Sequence, residues 1–238
     1  MAARHLPLDL PRALRALRAL LADPDDLPQV FTVLESLAGD TLPRMERRMQ
    51  KSASGRRLLA TRPDLVPLLK DRDALRKLPE GSVGRAYLAF VESEGISADG
   101  ILAADAEGRT GKEGLPEDLV YLHQRMRDTH DLWHAITGYR GDVLGEAALL
   151  GFTLAQSWNA GIALIVGVGF VKAAGSKEAR KLIVEGYRRG RSARWFPEQE
   201  WETMLGAPLE DVRAELRVGP PPVYTPVRSA ELKMARAA

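Results

Sequence analysis

The stretch Arg127 to Trp158, RDTHDLWHAITGYRGDVLGEAALLGFTLAQSW, constrains this chain more than any other. Two histidines stand four residues apart with an aspartate between them, in His130-Asp131-Leu132-Trp133-His134. A helix turns about 100° per residue, so with His130 at 0°, Asp131 falls near about 100° and His134 near about 40°. All three project from one face. Gly138 to Asp142 is a run of turn formers, and Asp142 suits the N-cap of a second helix, VLGEAALLGFTLAQSW. If the two helices run back antiparallel, His134 lies about 4.5 Å before the turn and Glu146 about 6 Å after it. Two imidazoles and two carboxylates then converge on one point.

Burying such a set without a cation costs several kcal/mol, so the spacing favours a divalent metal at His130, Asp131, His134 and Glu146. The competing reading is a pair of hydrogen-bonded core or surface histidines beside a solvated aspartate. Asp131 either ligates or acts on a ligating neighbour. The chain has no cysteine, which excludes disulfides, thiolate sites and a cysteine nucleophile. A metal held by nitrogen and oxygen alone is zinc, iron, manganese or cobalt. His123 lies on the same helical face but about 10 Å upstream, too far to share the ion.

A net charge of +2 over 238 residues gives no reason to expect a nucleic-acid partner. The longest apolar run is Ala160 to Val171, AGIALIVGVGFV, which falls short of a membrane span of about 20 residues. It suits a buried core helix or an interfacial segment. Its Gly167-Val168-Gly169 lacks the third glycine of a dinucleotide loop. Arg188, Arg189, Arg191 and Arg194 follow as a basic cluster, suited either to anionic head groups or a prenyl phosphate, or to a solvated helix face.

Elsewhere the pattern is helical throughout, and no period-2 run is bounded by turns. Leu10, Leu14, Leu17, Leu20 and Leu21 share one helical face with Arg12, Arg15 and Arg18 opposite. This start is read as a membrane-surface helix, a transit-peptide-like leader, or a first helix packed on the core. Two short helical pieces are expected between Pro63 and Pro79, with helices capped by Ser82 and Ser176. Pro116-Glu117-Asp118 opens a helix expected to reach Thr137, after a glycine-rich connection at 108–114. The expectation is an all-α, single-domain multi-helix bundle with the metal site between two antiparallel helices. Residues 1–26 form an N-terminal helix and linker, 27–222 the main domain, and 223–238 an extended or frayed tail.

His-Asp-x-x-His resembles the zincin motif with Asp in the place of the catalytic Glu, but the mixed α/β scaffold is missing. It also echoes HD-type phosphohydrolases, without their additional histidine and aspartate. A closer resemblance lies elsewhere. His130-Asp131-Leu132-Trp133-His134, eleven residues, then Glu146 resembles the signature of the fourth coenzyme Q (ubiquinone) biosynthesis protein family. The likeness extends through GRRLL at 55–59, LPEGSVGRAYLAF at 78–90, GRSARWF at 190–196 and WETMLGAPLEDVRAELRV at 201–218.

The resemblance implies an all-helical fold, a divalent metal at His130, Asp131, His134 and Glu146, and work in ubiquinone synthesis. The implied reaction is metal-dependent oxidative decarboxylation and hydroxylation of a polyprenylated aromatic head group at its carboxylated ring carbon. The alternative is a non-catalytic lipid-binding scaffold that organises the other ubiquinone biosynthesis enzymes. A prenyl tail needs an apolar groove, for which the helix after Glu146 and AGIALIVGVGFV are the candidates. Peripheral attachment follows, on the bacterial inner membrane from the cytoplasm or on the matrix side of the mitochondrial inner membrane, with a homodimer allowed.

Overall fold

The architecture comes from a computed structural model that describes residues 7–108 and 115–231 together with Met234. Among the described residues, fifteen α-helices follow one another. They are α1 (Leu10–Ala22), α2 (Leu27–Ser36), α3 (Thr41–Met49), α4 (Ala53–Thr61), α5 (Val66–Lys70), α6 (Arg72–Lys77), α7 (Val83–Glu94) and α8 (Ala98–Gly108). After these come α9 (Glu117–Asp128), α10 (His130–Thr137), α11 (Val143–Ser157), α12 (Ala160–Lys172), α13 (Lys177–Ser192), α14 (Trp201–Met204) and α15 (Leu209–Glu215). The expected all-α, single-domain bundle is what forms, with no strand among the described residues and one isolated bridge between Ser82 and Pro208. Most of the 108–114 connection and the last residues of the tail lie outside the described residues.

Local chemistry sets the boundaries. Ser82, Asp142 and Ser176 each cap the helix that follows by accepting a backbone N–H through the side chain. The helix expected from Pro116 to Thr137 is two helices. Thr129 donates its hydroxyl to Arg125 O at 2.7 Å, and its backbone relaxes to φ −90°, ψ −3°. A hydroxyl bonded back onto the preceding turn bends a helix, so α10 starts afresh at His130.

The largest core gathers α7, α10, α11 and the C-terminal elements around Trp133, Phe152, Phe196 and Trp201, all almost fully buried. Their rings meet edge to face, with Trp133–Phe196 centroids at 5.2 Å and Phe152–Phe196 at 4.9 Å. Burying each such side chain is worth about 1.5–3 kcal/mol. Smaller cores join α3, α4 and α9 around Met49, Leu58 and Leu122, and α1, α2 and α12 around Ala13, Ala16, Leu17 and Val33. On α1 the buried face is Ala13, Ala16 and Leu17, while Leu10 and Leu14 stay exposed.

Helices α11 and α13 cross at backbone distance. A Cβ on Gly186 would lie 2.2 Å from Ala148 O, and one on Gly190 2.5 Å from Phe152 O. Positions 148 and 152 pair with 186 and 190 in rising order, so the two helices run parallel and α12 returns the chain between them. Buried Gln156 locks the crossing. Its Nε2 donates to Gly190 O at 2.6 Å, and its Oε1 accepts Phe196 N at 2.8 Å.

Candidate metal centre

Helix α10 supplies His130 and His134, and the first turn of α11 supplies Glu146. Their ligand atoms lie within 4.8 Å of one another. His134 Nε2 is 3.1 Å from Glu146 Oε1 and 3.3 Å from His130 Nε2, and His130 Nε2 is 3.5 Å from Glu146 Oε2. A tetrahedral ion with bonds of about 2.05 Å has ligand edges of about 3.3 Å. The two imidazole nitrogens stand at such an edge from each other, and each lies about that far from one oxygen of the Glu146 carboxylate.

His134 is oriented from outside the set. His134 Nδ1 faces Tyr139 O at 3.0 Å. A carbonyl only accepts, so Nδ1 donates to it, and Nε2 is the nitrogen turned toward the site. Phe90 of α7 stacks on the same ring at 4.8 Å and 11°, leaving His134 fully buried. The side chains of His130 and Glu146 are 26% and 42% exposed, so the centre is closed behind His134 and open in front.

Charge follows the same geometry. Burial raises the cost of Glu146's charge, but the His134 and His130 imidazoles outweigh it and hold the carboxyl well below the usual carboxylate range. Burial likewise opposes a charge on His130, and Glu146 overcomes it, so the imidazole is raised. A nitrogen- and oxygen-lined cluster that already pairs imidazole with carboxylate fits a divalent cation.

Asp131 is buried beside this set without joining the three-residue group. Burial pushes its carboxyl up, against the lowering by His130 and His134. His123 lies apart, bonded to Asp105 at 3.2 Å. Phe90 and the Tyr139 carbonyl carried no legible signal in the sequence, because neither residue type is a ligand and both contacts depend on tertiary folding. The C-terminal segment adds contacts that spacing did not indicate: Tyr224 Oη donates to Asp142 Oδ2 at 2.7 Å and accepts Arg140 N at 3.0 Å.

The arginine cluster divides. Arg189 is committed to the backbone, donating to Thr137 O, Val218 O and Pro220 O, and Arg194 pairs with Glu215. Arg188 instead joins Lys177, Arg180 and Lys181, with Glu185, Phe170 and Val184, around an open cavity of about 670 Å³. The apolar segment is α12, and only Gly161 and Ile162 are buried in it. Its outward arc carries Ala160, Ala163, Gly167 and Val171, without a charge before Lys172.

Comparison with known proteins adds three findings. The family model described as "Coenzyme Q (ubiquinone) biosynthesis protein Coq4" matches residues 10–222. Among curated relatives, "Ubiquinone biosynthesis protein coq4, mitochondrial" of Talaromyces stipitatus is 31% identical over 78% of this chain and 63% of its own length. "Ubiquinone biosynthesis protein COQ4, mitochondrial" of Laccaria bicolor is 31% identical over 85% of this chain and 67% of its own. The chain thus spans about two-thirds of these relatives' length. A crystal structure from Nostoc punctiforme PCC 73102 shares the fold, with a TM-score of 0.66 at 22% identity, covering 90% of this chain and all of that one.

Proposed function

The chain belongs to the coenzyme Q (ubiquinone) biosynthesis protein Coq4 family, and from that premise we propose that it is a metal-dependent enzyme of ubiquinone synthesis. The reaction is oxidative decarboxylation and hydroxylation of a polyprenylated aromatic head group. The bond from the ring carbon to its carboxylate breaks with release of carbon dioxide, and a bond to hydroxyl oxygen forms at the same carbon. Dioxygen as co-substrate supplies that oxygen atom and the oxidising equivalents. The observation that carries this reading is the convergence of His130, His134 and Glu146, two imidazoles 3.3 Å apart with the Glu146 carboxylate oxygens 3.1 and 3.5 Å from them and one open side.

His130, His134 and Glu146 hold the ion, and Asp131 either adds a ligand or sets the charge beside it. The bound cation, zinc, iron, manganese or cobalt, supplies the Lewis acidity that orients a carboxylate or phenolate. The protein's own contribution is positional. Tyr139 O and Phe90 fix the His134 ring, the buried wall behind it excludes water, and the side where Glu146 is exposed admits the head group.

Metal analysis of the purified protein tests the site. One equivalent in the wild type that is lost in His134→Ala is expected, and unchanged metal in that variant would sink the assignment. Carboxylate loss and hydroxyl gain by a carboxylated prenylphenol on aerobic incubation with metal-loaded protein test the chemistry. Absence of turnover with all four metals would favour the second reading, a lipid-binding scaffold for the other enzymes of the pathway.

That second reading has its own support in α12. No helix among the described residues is long and apolar enough to cross a membrane, yet the outward arc of α12 is uncharged and the cations around the nearby cavity border it. An apolar helix face rimmed by lysine and arginine sits at an anionic bilayer surface. Both readings place the protein peripherally on a membrane. That surface is the bacterial inner membrane or, in line with the relatives' names, the mitochondrial inner membrane on its matrix side.

A further inference from the structure

The loop between α10 and α11 does not hold itself. Segment 220–228 runs extended across it and touches it through Pro221, Tyr224, Val227 and Arg228. Pro221 lies against Gly138, where a Cβ would approach to 2.6 Å. Tyr224 Oη bridges Arg140 N and Asp142 Oδ2. Val227 N donates to Asp142 Oδ1 at 2.9 Å, and Val227 O accepts Val143 N at 2.9 Å. Arg228 bonds Gly141 O at 3.3 Å and pairs with Glu94, which itself accepts Gly141 N at 3.2 Å. These contacts end one helical turn from the metal set. Asp142 is the N-cap of α11, and Glu146 sits in its first turn. Gly145, the neighbour of Glu146, leaves room for the phenol: a Cβ there would stand 2.5 Å from Tyr224 Oη.

We propose that Tyr224, supported by Val227 and Arg228, is a positioning residue of the metal centre, and that this C-terminal strap sets where Glu146 stands relative to His130 and His134. The inference rests on the metal reading above. It extends the centre into a segment beyond the residues matched by the family model, which end at 222. The strap has little regular structure of its own, so its conformation is determined by what it grips. Metal ligands must be placed to within about 0.2 Å, and loss of an outer partner commonly lowers metal affinity by about 10- to 100-fold. Removing the Tyr224 hydroxyl takes a donor from the buried cap Asp142 and an acceptor from Arg140 N. It leaves all three ligands in the chain.

The experiment is a Co²⁺ titration of the full-length, metal-free protein, read by visible absorption, for the wild type, Tyr224→Phe, Arg228→Gln and His134→Ala. The expected result is an affinity loss on the order of tenfold or more in Tyr224→Phe, a smaller loss in Arg228→Gln, and an altered ligand-field spectrum in both, with far-UV helicity unchanged. A purely structural role lowers the unfolding midpoint of the metal-free protein but leaves Co²⁺ affinity and spectrum as in the wild type. If both strap variants behave in that way while His134→Ala loses the metal, the strap inference is overturned and the metal site stands. Should Tyr224→Phe not fold, Arg228→Gln decides alone. If the wild type binds no Co²⁺, the metal reading fails and this inference with it.

Discussion

Replacing Gly186 by alanine tests the placement of α11, and Gly167 provides its control. A Cβ at 186 would stand 2.2 Å from Ala148 O, 2.9 Å from Ala148 C and 3.2 Å from Ala148 Cα. Reaching ordinary contact near 3.4 Å requires α11 and α13 to separate locally by 3.4 − 2.2, roughly 1.2 Å, and such overpacking costs about 1–3 kcal/mol. At Gly167, also inside a helix, an added Cβ meets nothing within 4 Å, so the same substitution gains about 0.5–1 kcal/mol from the stiffer unfolded chain. Urea unfolding of the two variants, followed by circular dichroism, should move the midpoint in opposite directions. Ala148 lies two residues beyond Glu146, so Gly186→Ala should also weaken Co²⁺ binding, and Gly167→Ala should not. If Gly186→Ala were as stable as the wild type, or both variants shifted alike, the backbone-contact account of this crossing would be wrong.

Three further expectations follow from the same contacts. Gln156→Leu strands Gly190 O and Phe196 N in a buried setting and should cost about 1–3 kcal/mol in urea unfolding; a neutral result would mean water replaces the amide. Val171→Asp alters a 67%-exposed side chain, so it should leave stability unchanged while reducing co-sedimentation with anionic phosphatidylglycerol vesicles several-fold. Equal sedimentation would remove α12 from the membrane face. Metal dependence should have a definite sign with pH. In the metal-free protein the raised His130 contributes stability that is fully present below the ordinary histidine pKa of 6.5 and is lost as pH rises through the raised value. Metal must displace that proton, so affinity should climb about tenfold per pH unit on the acid side, and a flat profile between pH 5.5 and 7.5 would contradict the protonated pairing.

Much of the fold was legible because its signals are local. Ser82, Asp142 and Ser176 are caps that act within three residues, and Pro63 and Pro79 flank α5 and α6, although Pro67 sits in the first turn of α5 and it is Asp71 that separates the two. The convergence of His130, His134 and Glu146 was likewise legible, since a five-residue turn between two helices fixes their relative height. The break at Thr129 was not, because whether a threonine bonds back to the preceding turn depends on what it packs against. The exposed arc of α12 was also hidden. An apolar run reads the same whether it is buried or bare, and only the three-dimensional neighbours distinguish the cases. For Tyr224 the reason is distance along the chain: its partners are 82 and 84 residues away, beyond the reach of any periodicity.

The break at Thr129 has a consequence for how the centre is supported. Because α10 begins at His130 rather than continuing α9, both histidines, the turn and Glu146 belong to one short cassette of chain. Thr129 is the joint at its upstream end, held by its hydroxyl and by backbone bonds from its own N to Arg125 O and from Trp133 N to its carbonyl. Helix α9 is anchored by different contacts, Arg125 to Glu202 and to Gln199 O. The helix before the site and the site itself therefore rest on different side chains.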